Sequence, residues 1–234
     1  MTTASVRIAE GAFWLGALAA YFVFPDYLLL GSQIMVAALF ALSIDLILGY
    51  AGIVSLGHAA FFGVGAYSAG LLATHGWGEP FSGLLVAGAA AGVVGYLTSF
   101  LVVRGQDLTR LMITLGVCML LLQTANRFSG ITGGADGLQG MQMGKVLGLF
   151  AFDLYGRTAY LYALTVLFAL FCFARRLIGS PFGLALRGIR ENPRRMPAIG
   201  SPVVRRLITV YTIAAVIAVP RPDSARMRAA AMPR

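Results

Sequence analysis

Polar chemistry is scarce in this 234-residue sequence. Only 12% of its residues are charged, and it holds two cysteines, two histidines and a single lysine, Lys145. Each shortage excludes something. Cys118 and Cys172 stand alone inside apolar runs, with no metal-ligand spacing and little prospect of a disulfide, so they read as small buried hydrophobes. His58 and His75 lie far apart in sequence and without acidic company. Neither G-x-S-x-G nor H-E-x-x-H occurs, so no catalytic constellation is present. Lys145 follows Gly144, but Gln139 and Val146 stand where a phosphate-binding loop needs glycine and a hydroxyl residue. If ATP drives this protein, a separate subunit must bind it.

What is present is apolar. Hydrophobic residues make up 59% of the chain, and the mean hydropathy is +0.82. A soluble core does not need that much apolar surface; an all-α polytopic membrane protein does. The net charge of +9 sits at one end. From Arg175 onward twelve arginines face only Glu191 and Asp223, and the rest of the chain is nearly neutral. Its aromatics lie in apolar runs and not between those arginines. Such a distribution fits cytoplasmic loops under the positive-inside rule better than a nucleic-acid face.

Hydropathy places spans at about 8–24, 27–48, 59–74, 81–103, 111–125 and 158–173, with a shorter apolar run at 207–219. Ala17-Leu18-Ala19 has the look of a signal-peptidase site, but too short an apolar run precedes it, so the first span reads as a retained anchor. Gly88, Gly92 and Gly95 share one face of the fourth span, which predicts close packing against a neighbouring helix. With the N-terminus inside, the turn at 104–110 and the basic segment at 175–206 both fall on the cytoplasmic side, as the arginine bias requires.

The stretch Gly49-Tyr-Ala-Gly-Ile-Val-Ser-Leu-Gly-His58 is where the apolar pattern breaks. In lipid a broken helix persists only where protein or a watery cavity shelters its backbone, and such segments mark transport sites in many carriers. Gly49, Gly52, Ser55, Gly57 and His58 are therefore translocation-path candidates. Tight helix packing by glycine is the competing reading. Asp45, just upstream, is either an intramembrane functional carboxylate or an interfacial cap for the break. The long connection at 127–157 carries Thr132-Gly133-Gly134-Ala135-Asp136-Gly137, a run of turns with too few oxygen ligands for calcium.

A second informative stretch runs from Ser180 to Gly200. Leu184, Ala185, Gly188 and Ile189 can form an apolar strip on a short helix, with Arg187 and Arg190 beside it. Asn192-Pro193 then makes an N-cap and N1 pair for a new turn. This suits docking to a cytoplasmic partner; a basic loop resting on anionic lipid headgroups is the alternative.

Leu48 through Tyr67, Thr132 through Leu138 and Gly183 through Gly200 together resemble the motifs of permease subunits of branched-chain amino-acid ABC importers, the M-type subunit above all. The match covers roughly residues 30–212 in family order and spacing. It implies an α-helical inner-membrane permease bundle and no covalent chemistry; the apolar runs give that bundle about six full spans and a truncated seventh. The implied partners are an H-type permease, two ATP-binding subunits and a periplasmic substrate-binding protein. It also implies that Gly183, Arg187, Arg190, Glu191 and Gly200 belong to an ATPase-docking loop at about 177–206, and that Thr132, Gly133, Gly134, Asp136 and Gly137 belong to an external loop. Two departures stand out. Asp45 occupies a position where the family carries a neutral polar residue, and Pro197 follows Pro193 closely enough to shorten the docking helix. The rival classes are a stand-alone carrier or channel relaying protons through Asp45 and His58, and a structural scaffold with no docking segment.

The permease domain is expected to cover 1–219. Beyond it the character changes at Pro220 to an Arg/Pro/Ala-rich tail that cannot continue a span. Residues 220–234 are expected to be frameshift-derived or otherwise non-native and poorly ordered. A genuine short variant whose tail returns to the cytoplasm is the alternative.

Overall fold

The computed structural model describes residues 3–76, 79–105, 107–134, 137–138 and 156–219, and every regular element among them is helical. Nine α-helices follow one another among the described residues: α1 (Thr3–Val23), α2 (Leu28–Asp45), α3 (His58–Thr74), α4 (Pro80–Arg104), α5 (Asp107–Arg127), α6 (Ser129–Thr132), α7 (Arg157–Ile178), α8 (Pro181–Glu191) and α9 (Val203–Ile217). A 3-10 turn, Pro25–Tyr27, joins α1 to α2, and a π-helical turn, Leu46–Ala51, extends α2. Asp136 and the tail 220–234 lie outside the described residues, so the expectations placed on them are not addressed by this fold.

Among the described residues, four stretches are long and apolar enough to cross a bilayer: Pro25–Ala51, Pro80–Arg104, Leu108–Arg127 and Arg157–Ile178. The apolar part of α1 (Ile8–Val23), α3 and α9 are shorter. The shortness of α3 has a local cause. It starts beside Ser43, two turns before α2 and its π extension end, because the chain between them has doubled back.

Direction can be read from contacts. The Tyr160 hydroxyl donates to the Ala17 carbonyl at 2.7 Å, and Arg175 pairs with Glu10, so α1 runs antiparallel to α7. A side chain on Gly156 would meet Leu29, and one on Gly31 would meet the Tyr160 ring, so α2 runs parallel to α7. The start of α1 and the ends of α2 and α7 thus share the end of the bundle that carries α8.

The predicted glycine face of α4 is a helix seam. Side chains built at Gly88, Gly92 and Gly95 would meet Val216, Val216 and Ala215 of α9, at 3.5, 2.8 and 2.5 Å. With no side chain between them the two backbones close up, and α9 becomes the most deeply packed helix. Leu207, Val210, Tyr211, Ala214, Ala215 and Ile217 are all buried. They form the main core with Leu46, Ile47, Ile53, Phe61, Ala87, Ala91, Leu186 and Ile189. A second cluster, around Leu28, Leu39, Tyr160 and Leu164, joins α1, α2 and α7.

Two local expectations need correcting. Asp45 caps nothing: it is helical, makes no capping bond and is exposed. The helix simply widens through it into the π turn. Cys118 is half-buried and Cys172 exposed, so neither is a core residue; both are free thiols on bundle surfaces.

Candidate functional site

The π turn ends at Gly52, whose φ of +66° is left-handed backbone that suits glycine and few other residues. From there to Gly57 the chain is irregular. Some of its amides find partners: Gly52 and Ile53 donate to the Ile47 carbonyl, and Leu56 donates to Thr114 Oγ1 of α5 at 3.2 Å. Among the described residues, the carbonyls of Gly52 through Leu56 accept no hydrogen bond. The segment lies between the two ends of the bundle. Thr114 is about two turns into α5, roughly 10 Å from the α8 end by helical rise.

Two faces of this segment differ. On the inner face, Ile53 is fully buried and Gly57 is pressed against α5: a side chain there would begin 2.2 Å from the Thr114 carbonyl oxygen. On the outer face, Val54 and Leu56 are 46% and 57% exposed. The adjoining helix α5 is the least buried of the four long spans, with Met112, Leu115, Met119 and Leu122 also exposed. A broken backbone therefore borders a large uncovered apolar surface.

His58 opens α3 and is almost wholly buried. The Ser43 hydroxyl donates to the Phe40 carbonyl at 2.8 Å and shares a 3.0 Å hydrogen bond with His58 Nε2. Nδ1 is buried on the α9 side of the ring. The rings of Phe61, Phe40 and Tyr211 surround the imidazole at 5.5, 6.0 and 6.5 Å. This arrangement pins the start of α3 to α2 and α9. The Ser55 hydroxyl is buried without a hydrogen-bond partner and faces the Tyr211 phenol.

The other half of the site lies at the α8 end. Helix α8 starts at Pro181, whose lack of an amide hydrogen costs nothing at N1. It buries Gly183, Leu186 and Ile189 against the core. Gly183 is a close-approach glycine, since a side chain there would strike the Ile178 carbonyl. The adjoining edge of the same face meets the π turn. Arg190 donates to the Gly49 carbonyl, its Cγ lies 3.0 Å from where a Gly52 side chain would begin, and the Arg187 guanidinium sits 5.2 Å over the Tyr50 ring. Asp45, Gly49, Tyr50, Arg187, Arg190 and Glu191 line one open cleft of about 640 Å³. Residues assigned from sequence to two separate functions, path and docking, are thus neighbours.

Beyond α8, Asn192 Oδ1 accepts from the Arg195 amide at 3.2 Å, the expected cap, but only a turn follows. Pro197 then opens a 3-10 turn ended by Gly200 at φ +78°. Leu184, Arg194, Arg195 and Ile199 are exposed around it.

At the far side of α5, Thr132 Oγ1 donates to the Ala125 carbonyl at 2.6 Å, while the Gly134 amide donates back to it at 3.3 Å. Gly133, Gly134 and Gly137 all have positive φ. The motif folds the chain back over the end of α5. No trio of His, Cys, Asp or Glu gathers to hold a metal among the described residues. Sequence reading missed Ser43, Tyr50, Thr114 and Tyr211. The first three were legible only as polar or aromatic interruptions of apolar runs.

Comparison with known proteins fits this geometry. The chain is 28% identical over 211 residues to the high-affinity branched-chain amino acid transport system permease protein LivM of Escherichia coli strain K12, covering 79% of this chain and 48% of that protein. It is 27% identical over 216 residues to the LivM of Salmonella typhimurium strain LT2, covering 81% and 49%. The chain thus spans about half the length of the curated relatives it matches. No solved structure matches it. A family model described as branched-chain amino acid transport system, permease component, matches residues 27–219. This multi-pass membrane protein belongs to that family of permease components.

Proposed function

We propose that this chain is the M-type permease subunit of an ATP-driven importer of branched-chain or related small amino acids in the bacterial inner membrane. It forms the translocation path with an H-type permease. It works with two ATP-binding subunits on the cytoplasmic side, where its N-terminus also lies, and with a periplasmic binding protein. The carrying observation is the segment Gly52–Gly57, broken between the two ends of the bundle, with unaccepted carbonyls and an exposed outer face. Each unpaired backbone group in hydrocarbon costs several kcal/mol, so that face cannot be left to lipid tails. A water-lined path and a second permease packed on α5 satisfy it.

Within this reading the path wall is Val54 and Leu56, with the Ser55 hydroxyl buried behind them. Gly57 and His58 hold that wall in place, while Asp45, Gly49 and Gly52 form its cytoplasmic margin. The ATPase contact is the exposed rim of the docking segment: Leu184, Arg187, Glu191, Arg194, Arg195 and Ile199, while Arg190 of the same segment turns to the Gly49 carbonyl. Gly183 and Gly200 shape that segment. Thr132, Gly133, Gly134, Asp136 and Gly137 belong to the external loop. Six full spans result when α1 and α3 also cross the bilayer within the assembled complex, and α9 is the shortened seventh.

Reconstitution tests this reading. The chain, co-expressed with its neighbouring importer subunits in proteoliposomes, is expected to support ATP-dependent accumulation of leucine when binding protein is supplied. Accumulation driven by a proton gradient without ATP would favour the stand-alone carrier. Failure of the ATPases to co-purify would favour the scaffold.

A further inference from the structure

We infer that Arg190 is a positioning residue that ties α8 to the mouth of the broken segment, so that movement of α8 is delivered to the Gly49–Gly52 turn. The inference rests on the permease reading above and adds the residue through which docking reaches the path.

The observations converge from one helix onto one turn. A helix leaves its last carbonyls without intrahelical donors. In the π turn Leu46–Ala51, the Ile47 carbonyl is taken by the amides of Gly52 and Ile53, and the Gly49 carbonyl by the Arg190 guanidinium. The donor to Gly49 thus comes from 141 residues away in sequence. The stem of the same arginine covers Gly52, with Cγ and Cβ 3.0 and 3.5 Å from the position of an added side chain. Gly52 is the left-handed residue at which the helix breaks. One turn earlier on α8, Arg187 lies over Tyr50. Three of the four residues from Gly49 to Gly52 are therefore held by two arginines of α8.

The grip has a firm base. Leu186 and Ile189, between and beside the arginines, are 1% and 3% exposed within the main core. Beyond the turn, the chain is gripped again where Leu56 and Gly57 meet Thr114. The irregular stretch is thus fixed at both ends, by α8 on one side and α5 on the other. A displacement of α8 relative to α5 must be absorbed between Gly52 and Gly57, the residues with the fewest backbone hydrogen bonds.

The test measures transport per ATP hydrolysed in the reconstituted complex, alongside co-purification of the ATPases. Arg190→Met keeps most of the stem and removes the donor. The ATPases are expected to remain bound, with leucine accumulated per ATP falling at least about tenfold, as loss of a charge-assisted hydrogen bond implies. Arg190→Lys, which can still donate to the carbonyl, should recover part of the coupling. Tyr50→Leu should lower the ratio by about threefold, the scale of an exposed cation–π contact, while Tyr50→Phe should not. The Tyr50 pair keeps the inference testable if Arg190→Met does not insert. An unchanged ratio in Arg190→Met, or in Tyr50→Leu, overturns it. Loss of the ATPases from Arg190→Met overturns it too, because Arg190 would then be a direct docking contact. Absence of ATPases from the unsubstituted chain overturns instead the permease reading on which it rests.

Discussion

Two glycine-rich regions of this protein look alike in composition and do opposite things. Along α4, Gly88, Gly92 and Gly95 sit in an unbroken helix, and what they approach is the side chains of α9. Between Gly49 and Gly57 the glycines approach the Asp45 carboxylate, the Arg190 side chain and the Thr114 backbone, one has positive φ, and the helix ends. The first region lets two regular helices close up, which is how small residues serve membrane bundles. The second allows the backbone to leave regular structure at a depth where lipid would forbid it. Glycine count does not separate packing from a path. The atoms met by each missing side chain, and the sign of φ, do.

Substitutions at single glycines sharpen this contrast. The largest effect is expected at Gly57. An added methyl would begin 2.2 Å from the Thr114 carbonyl oxygen, which belongs to the α5 backbone and cannot swing aside. Gly57→Ala should cost about 3 kcal/mol, the top of the usual overpacking range. A drop of many degrees in the thermal midpoint of detergent-solubilised protein is the readout. A midpoint equal to that of the unsubstituted chain would show that the 52–57 segment does not rest on α5.

Gly95→Ala should come next. The added methyl meets the stiff Ala215 Cβ at 2.5 Å, so α4 and α9 must part. The overpacking cost is partly offset by the better helix propensity of alanine, leaving about 1–2 kcal/mol lost. Pairing it with Ala215→Gly should restore the midpoint, which no substitution at α9 should do for Gly57→Ala.

Gly52→Ala should lose about 1 kcal/mol, since a left-handed conformation now carries a side chain. Its signature is an imbalance: uptake should fall further than the amount of folded protein, because Arg190 is displaced from the turn. Proportional losses would assign Gly52 to packing alone. The smallest effect is expected from Gly88→Ala, where Val216 lies at an ordinary 3.5 Å. It should be neutral or stabilising by about 0.5 kcal/mol, and uptake should be unchanged.

Much of this was readable in the sequence because hydropathy and glycine spacing are local signals. The span cores, the α4 seam, the break after Tyr50 and the turn capped by Asn192 all follow from residues near one another in the chain. The cleft at the α8 end does not. Asp45 and Gly49 approach Arg187 and Arg190 across more than a hundred residues, and no periodicity announces such a meeting. Thr114 was hidden for another reason. A threonine that bonds its own helix, as Thr114 does to the Leu111 carbonyl at 2.9 Å, reads as an ordinary span residue. Its second bond, from Leu56, exists only once the chain has doubled back. Asp45 misled for a related reason, since capping is inferred from where a helix should stop, and the π turn carries this one further.

The central claim is that the outer face of Gly52–Gly57 borders a water-lined path and not lipid. Leu56 on that face and Leu97 on α4 are similarly exposed, and each lies about two turns from the α8 end. In a background with Cys118 and Cys172 replaced by alanine, Leu56→Cys and Leu97→Cys can be challenged with a membrane-impermeant thiol reagent in the reconstituted importer during ATP turnover. The expected result is modification at position 56, slowed by leucine, and none at position 97. Equal protection of both positions in every state of the cycle would contradict the claim.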